Sequence, residues 1–161
     1  MSRLLAPAAM AVCLFVFQTT LLASLQLDLL TPVLVYVALE SSFPAALLFA
    51  LFFGFVADVM TSPVAGVNIA LNLGVLLATW LVRGHILLAS LVVRAGVAAL
   101  GLATRSLLFM ALNALYQGSS PTGSLALAAA LQVVAGALIS LPLFATLDRA
   151  LELLALRQEP L

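Results

Sequence analysis

A chain of 161 residues that is 65% hydrophobic and only 7% charged does not have the composition of a water-soluble domain, in which about a quarter of the residues are charged. Its six basic and six acidic residues give no net charge, and it has no lysine, so it offers no basic surface to attract nucleic acid. The composition therefore predicts an all-α, polytopic membrane protein.

Six apolar runs follow one another along the chain, and we predict that each is a membrane-spanning helix of a single domain. The runs cover residues 4–25, 29–39, 44–60, 64–82, 90–115 and 125–147, and residues 148–161 follow as a short tail. The first run is long and leads directly into further runs, which favours a retained helix over a cleaved signal peptide. The second run carries Pro32 in its first turn and is shorter than the ~20 residues that cross a bilayer, so we expect a short tilted helix, with a re-entrant segment as the alternative.

The third and fourth runs concentrate small and polar side chains on either side of a break at residues 61–63. A stripe of small residues that ends in a carboxylate recurs every four positions: Ala46, Ala50, Gly54 and Asp58. After the break, Asn68 and Asn72 share one helix face. Because a carboxylate in an apolar span is unfavourable, Asp58 is either a functional or packing site or a residue at the lipid–water boundary that caps a turn.

One face of the fifth run carries two arginines that flank two small residues: Arg94, Ala98, Gly101 and Arg105. Arg105 lies well inside the apolar run, where a charge needs a partner or water. We expect it to pair with Asp58 between the third and fifth helices, with Asp28 as the second choice. The alternative is that the Arg105 side chain extends to the outer surface.

Catalytic signatures are missing from the sequence, including HExxH, GxSxG, the P-loop and GxGxxG. Asp28 and Asp58 could form a carboxylate pair, but neither belongs to a recognisable catalytic motif. The single Cys13 and the single His85 have no neighbours in sequence that would complete a disulfide or a metal site. We therefore predict a protein that is not an enzyme and that holds no metal or cofactor.

The arginines predict the orientation of the six-span arrangement. Four of them fall on the same side as both termini: Arg3, Arg83, Arg149 and Arg157. The connections on the opposite side, at Asp28, at residues 61–63 and at residues 117–124, contain no arginine. The positive-inside rule then places both termini in the cytoplasm.

Residues 27–72 resemble the rod shape-determining protein MreD family of bacteria. The resemblance starts with an aspartate and a proline that open a short second span, followed by Leu34-Val35-Tyr36 and a polar break. The matching residues, in chain order, are Asp28, Pro32, Gly54, Asp58, Ser62, Pro63, Gly66 and Asn68. The rest of the chain agrees in length, number of runs and lack of large loops.

The resemblance implies a non-enzymatic scaffold of the bacterial inner membrane that binds MreC and works with the MreB filament, the elongation transpeptidase and the RodA synthase. It also implies a fold similar to the substrate-binding components of energy-coupling-factor transporters, so the alternative function is a small-molecule-binding transporter subunit. Two departures lower this alternative. The first run lacks the Ala-xxx-Ala strip of those components, and no long external loop follows it.

Overall fold

The computed structural model describes residues 9–13, 28–61, 66–85, 90–117 and 123–156. These residues form six α-helices and no strand, which confirms the all-helical prediction for the described part of the chain. The helices are α1 (residues 9–13), α2 (Leu30–Glu40), α3 (Phe43–Thr61), α4 (Val67–Arg83), α5 (Leu91–Gln117) and α6 (Gly123–Leu156).

Three of the six helices are long and apolar enough to cross a membrane, namely α3, α5 and α6 over Phe43–Met60, Leu91–Leu115 and Leu127–Ala150. The shorter α2 and α4 are apolar but have only 11 and 17 residues. The outward faces of the long helices carry exposed side chains such as Leu48, Phe55 and Leu131. Apolar side chains on an outer surface of this kind are suited to contact with lipid, so the structure indicates a helical membrane protein.

Of the helices α2 to α6, α2 is the shortest, and it lies at the centre of the structure. All ten residues of 30–39 are buried, and α2 packs against α3, α4, α5 and α6. The helix is apolar on every side, as expected for one enclosed by others. Its Tyr36 ring lies 5.5 Å from the ring of Phe144 on α6, measured between centroids.

Helices α3 to α6 surround α2 in chain order, with α3 against α4, α4 against α5, and α5 against α6. The small-residue face of α5 lies against α2, where Ala98 is fully buried and Gly101 faces Val35. We had expected this face to meet α3, and that expectation was wrong. Because α2 occupies the centre, the buried face of α5 meets α2 before it can reach α3.

Candidate functional site

Polar and charged side chains gather at the two ends of α2. We call the group at its beginning the Asp28 cluster (Asp28, Asp58, Asn68, Asn72 and Arg105). We call the group at its end the Glu40 cluster (Tyr36, Glu40, Arg83, Arg94 and Asp148).

In the Asp28 cluster, Asp28 caps the first turn of α2. Its Oδ1 accepts hydrogen bonds from the backbone N–H groups of Leu30 (3.1 Å) and Thr31 (3.2 Å), and the Thr31 hydroxyl donates to Oδ2 (2.5 Å). The first N–H groups of a helix have no partner within the helix, and a carboxylate satisfies them while facing the positive end of the helix dipole. Asp28 therefore fixes the point at which α2 begins.

Arg105 joins three segments of the chain at this cap. Its Nε lies 2.6 Å from Asp28 Oδ2, while Nη1 donates to Asn72 Oδ1 (2.7 Å) and Nη2 donates to Asn68 Oδ1 (3.0 Å). The side chains of Arg105 and Asp28 are only 20% and 7% exposed. A charge in such a place requires compensation, and the neighbouring carboxylate and two amide oxygens provide it.

Asp58 does not pair with Arg105, so the expected ion pair between α3 and α5 was wrong. The Asp58 carboxylate accepts the backbone N–H groups of Gly66 (3.0 Å), Asn68 (2.8 Å) and Ile69 (3.3 Å) at the start of α4. Only a short connection separates α3 from α4, so these unpaired N–H groups lie within reach of the carboxylate. Arg105 belongs to a helix that faces α2, and it meets Asp28, the partner predicted as second choice.

Two of the glycines noted in the sequence are required where α3 and α4 meet. A Cβ atom at Gly54 would lie 2.8 Å from the Cα of Ile69, so a larger residue would force α3 and α4 apart. Gly66 has a φ of 93° immediately before α4, in the left-handed region that favours glycine. Pro63 lies outside the described residues, and Pro32 is buried in the first turn of α2.

Asn72 extends the Asp28 cluster to α3. Its Nδ2 donates a hydrogen bond to the carbonyl oxygen of Ala50 (3.3 Å), while its Oδ1 accepts from Arg105. One amide side chain thus ties α4 both to α3 and to α5. The sequence pattern placed Asn72 on the same face as Asn68, but it gave no indication of either partner.

In the Glu40 cluster, Arg94 joins the end of α2 to α6. Its Nη2 lies 3.1 Å from Glu40 Oε1, and its Nη1 lies 3.3 Å from Asp148 Oδ1. The buried Tyr36 donates its hydroxyl proton to the same Asp148 oxygen at 2.6 Å. We had singled out Arg94 from its helix face but had missed Asp148 and Tyr36. The only available signal was the position of Asp148 at the end of the last apolar run.

Arg83 completes this end of α2 through backbone contacts. Its Nη1 donates to the carbonyl oxygens of Ala38 (2.9 Å) and Ser41 (2.7 Å), and its guanidinium carbon lies 4.8 Å from the ring centroid of Trp80. A cation at the end of a helix is favourable because the last carbonyl groups carry partial negative charge. Both ends of α2 are therefore held by residues of other helices.

The hydrogen bonds and ion pairs of both clusters join helices to one another. In the part of the chain that the structure describes, every buried side-chain nitrogen or oxygen has a hydrogen-bond partner. Within the same residues, no group of three His, Cys, Asp or Glu side chains converges to hold a metal ion. The carboxylates of Asp28 and Asp58 each cap a different helix.

Comparisons with protein-family models, with curated proteins and with solved structures gave no match.

Proposed function

We propose that this protein is a non-enzymatic scaffold of the bacterial cell-elongation machinery, located in the inner membrane. In this role it binds MreC and helps to link the MreB filament to peptidoglycan synthesis by the elongation transpeptidase and RodA. The proposal includes six membrane spans with both termini in the cytoplasm, so that α2 and α4 act as short spans beside the longer α3, α5 and α6. It rests on the resemblance of residues 27–72 to the MreD family.

One structural observation carries the proposal. Four of the residues that match the MreD family form a single local unit at the junction of α3 and α4: Gly54, Asp58, Gly66 and Asn68. Gly54 allows the two helices to touch, while the Asp58 carboxylate binds the backbone N–H groups of Gly66 and Asn68. These contacts hold α3 and α4 in a fixed arrangement, which supports a role of the motif in shaping a surface that a partner protein binds.

The proposal is tested by co-purification and by complementation. We expect the tagged protein, solubilised in mild detergent, to retain MreC of the same organism when both are co-expressed. We also expect it to restore rod shape to a bacterium depleted of its own MreD, when supplied with its cognate MreC. Purification without MreC, together with failure to restore shape at a normal protein level, would contradict the proposal.

Two substitutions at Asp58 refine this test. Asp58→Asn keeps an oxygen that can cap α4, whereas Asp58→Ala removes it. A scaffold should retain MreC binding and shape function in Asp58→Asn to the extent that folded protein is retained, and it should lose both together in Asp58→Ala. If Asp58→Asn kept the protein level and the MreC complex but abolished shape function, the carboxylate would have a chemical role that a scaffold does not require.

The Asp28 cluster favours a second candidate function, a small-molecule-binding subunit of an energy-coupling-factor-type transporter. It places a guanidinium, a carboxylate and two amides among apolar helices, which are the groups that orient a polar ligand in an apolar site. The same purification distinguishes the two candidates. Co-purification of an ATPase module or of a bound vitamin, in place of MreC, would support the transporter subunit.

A further inference from the structure

The central helix α2 is too short to cross a membrane by itself. Its 11 residues extend about 16 Å at 1.5 Å per residue, whereas the hydrocarbon core of a bilayer is about 30 Å thick. It is also bounded by a carboxylate at each end, since Asp28 precedes it and Glu40 is its last residue. A short apolar segment with charged ends is poorly suited to insert on its own.

Both carboxylates are paired with arginines of the same neighbouring helix. Arg105 of α5 contacts Asp28, and Arg94 of α5 contacts Glu40. The two arginines are 11 positions apart on one face of α5, which corresponds to about 16 Å along the helix axis. This spacing matches the length of α2. Because Arg105 contacts the residue before α2 and the earlier Arg94 contacts its last residue, α5 runs antiparallel to α2 and holds it at both ends.

The two helices are complementary in a further respect. Each arginine in the apolar run of α5 is unfavourable in a membrane unless it meets a partner, and the same is true of the carboxylates that flank α2. Between the paired ends, Gly101 faces Val35 and the buried Ala98 allows α5 to lie close to α2. The arginines of α5 therefore neutralise the carboxylates that flank α2, and the carboxylates neutralise the arginines.

The order of the helices along the chain separates these partners in time. During synthesis α2 is made before α3 and α4, and α5 follows only after both. Until α5 is available, the carboxylates at Asp28 and Glu40 lack their arginines and α2 lacks one wall of its enclosure. We infer that α2 takes its transmembrane position only when α5 joins it, and that Arg94 and Arg105 secure this late insertion. The inference rests on the six-span topology given under the proposed function, in which α2 is a short span, but it does not depend on the scaffold role or on MreC.

The test follows the side of the membrane on which the end of α2 lies. Ser42 is exposed just after α2, so a Ser42→Cys substitution in a chain that also carries Cys13→Ser gives a single labelling site. The full chain is synthesised in vitro with inner-membrane vesicles, and the membrane-integrated fraction is labelled with an impermeant maleimide before and after the vesicles are opened. This parent chain should be labelled from one side only.

The informative variant replaces both arginines of α5 by leucine, as Arg94→Leu with Arg105→Leu. Leucine makes α5 more apolar, so a change in the position of Ser42→Cys cannot result from failure of α5 to insert. We expect labelling from the opposite side to rise about tenfold, because α2 then keeps two stranded carboxylates. Glu152→Leu is the control, since Glu152 is an exposed charge on α6 that the positive-inside argument does not use, and it should label as the parent does.

A rescue variant separates this mechanism from general misfolding. Adding Asp28→Leu and Glu40→Leu to the double arginine variant removes the stranded charges and lengthens the apolar run of α2, so labelling should return to one side. The inference is overturned if the double arginine variant keeps one-sided labelling, if the rescue variant does not recover it, or if Glu152→Leu is as disruptive. Two-sided labelling of the parent would also overturn it.

Discussion

The ion pair between Arg105 and Asp28 should contribute measurably to the stability of the folded protein. The test is a double-mutant cycle with Asp28→Asn and Arg105→Gln. Asparagine retains an oxygen that can accept the backbone N–H groups of α2, so Asp28→Asn removes the charge and leaves the cap largely in place. Glutamine retains a hydrogen-bonding amide at position 105 but removes the positive charge.

The loss of unfolding free energy in each variant depends on how deeply the ion pair is buried. Removing one partner of a buried ion pair costs about 3–5 kcal/mol because the other charge is left without compensation. Since the Arg105 side chain is 20% exposed and keeps two amide partners, we expect a smaller loss, about 2–3 kcal/mol for each single variant. The double variant leaves neither charge, so its loss should be about 2 kcal/mol smaller than the sum of the two.

The measurement is reversible unfolding in mixed detergent micelles. Trp80 is the only tryptophan, and its ring lies 5.1 Å from that of Phe43 and close to the Arg83 guanidinium, so its fluorescence reports the loss of contact between α3 and α4. The free energy of unfolding is compared for the parent, both single variants and the double variant. Equal slopes of the transitions would show that the variants differ in stability and not in the mode of unfolding.

A second cycle, between Asp58→Asn and Arg105→Gln, supplies the comparison. Asn68 bonds to both residues and so links them indirectly, and their coupling should therefore stay below about 1 kcal/mol. A coupling of Arg105 to Asp28 that is within about 0.5 kcal/mol of zero would refute the ion pair as an energetic contact. A larger coupling to Asp58 than to Asp28 would contradict the arrangement of α5 against α2.

Three further results are expected. Gly54→Val should destabilise the protein by about 1–3 kcal/mol because the added carbons collide with the backbone of α4, whereas Gly96→Ala, with open space around it, should be neutral or stabilise α5 by roughly 0.5–1 kcal/mol; both are read from the same unfolding curves. Asp58→Ala should lose about 1–2 kcal/mol through the missing cap of α4, and Asp58→Asn, which keeps one of the two accepting oxygens, should recover part of it; equal losses would argue against capping. Cysteines at Ser119 and Gln158 should react with an impermeant reagent from the outside only at Ser119, and the reverse pattern would overturn the proposed topology.

The sequence was sufficient to identify the features that depend on composition and local spacing. Hydropathy alone predicts an apolar helical protein, and a spacing of 11 positions places Arg94 and Arg105 on one face of a helix whatever surrounds it. The unfavourable energy of an isolated charge in an apolar run also indicates that Arg105 needs a partner. These inferences follow from the geometry of a single helix and the cost of moving charge out of water.

The packing of the helices determines which partner each residue meets. The sequence favoured Asp58 for Arg105 by sign and approximate depth, but the position of α2 at the centre gives Arg105 to Asp28 and leaves Asp58 to cap α4. The contacts of Arg94 with Asp148 and of Asn72 with Ala50 link residues far apart in the chain, and no local pattern encodes them. Periodicity shows which face of a helix is buried, but the neighbour of that face depends on how all the helices pack together.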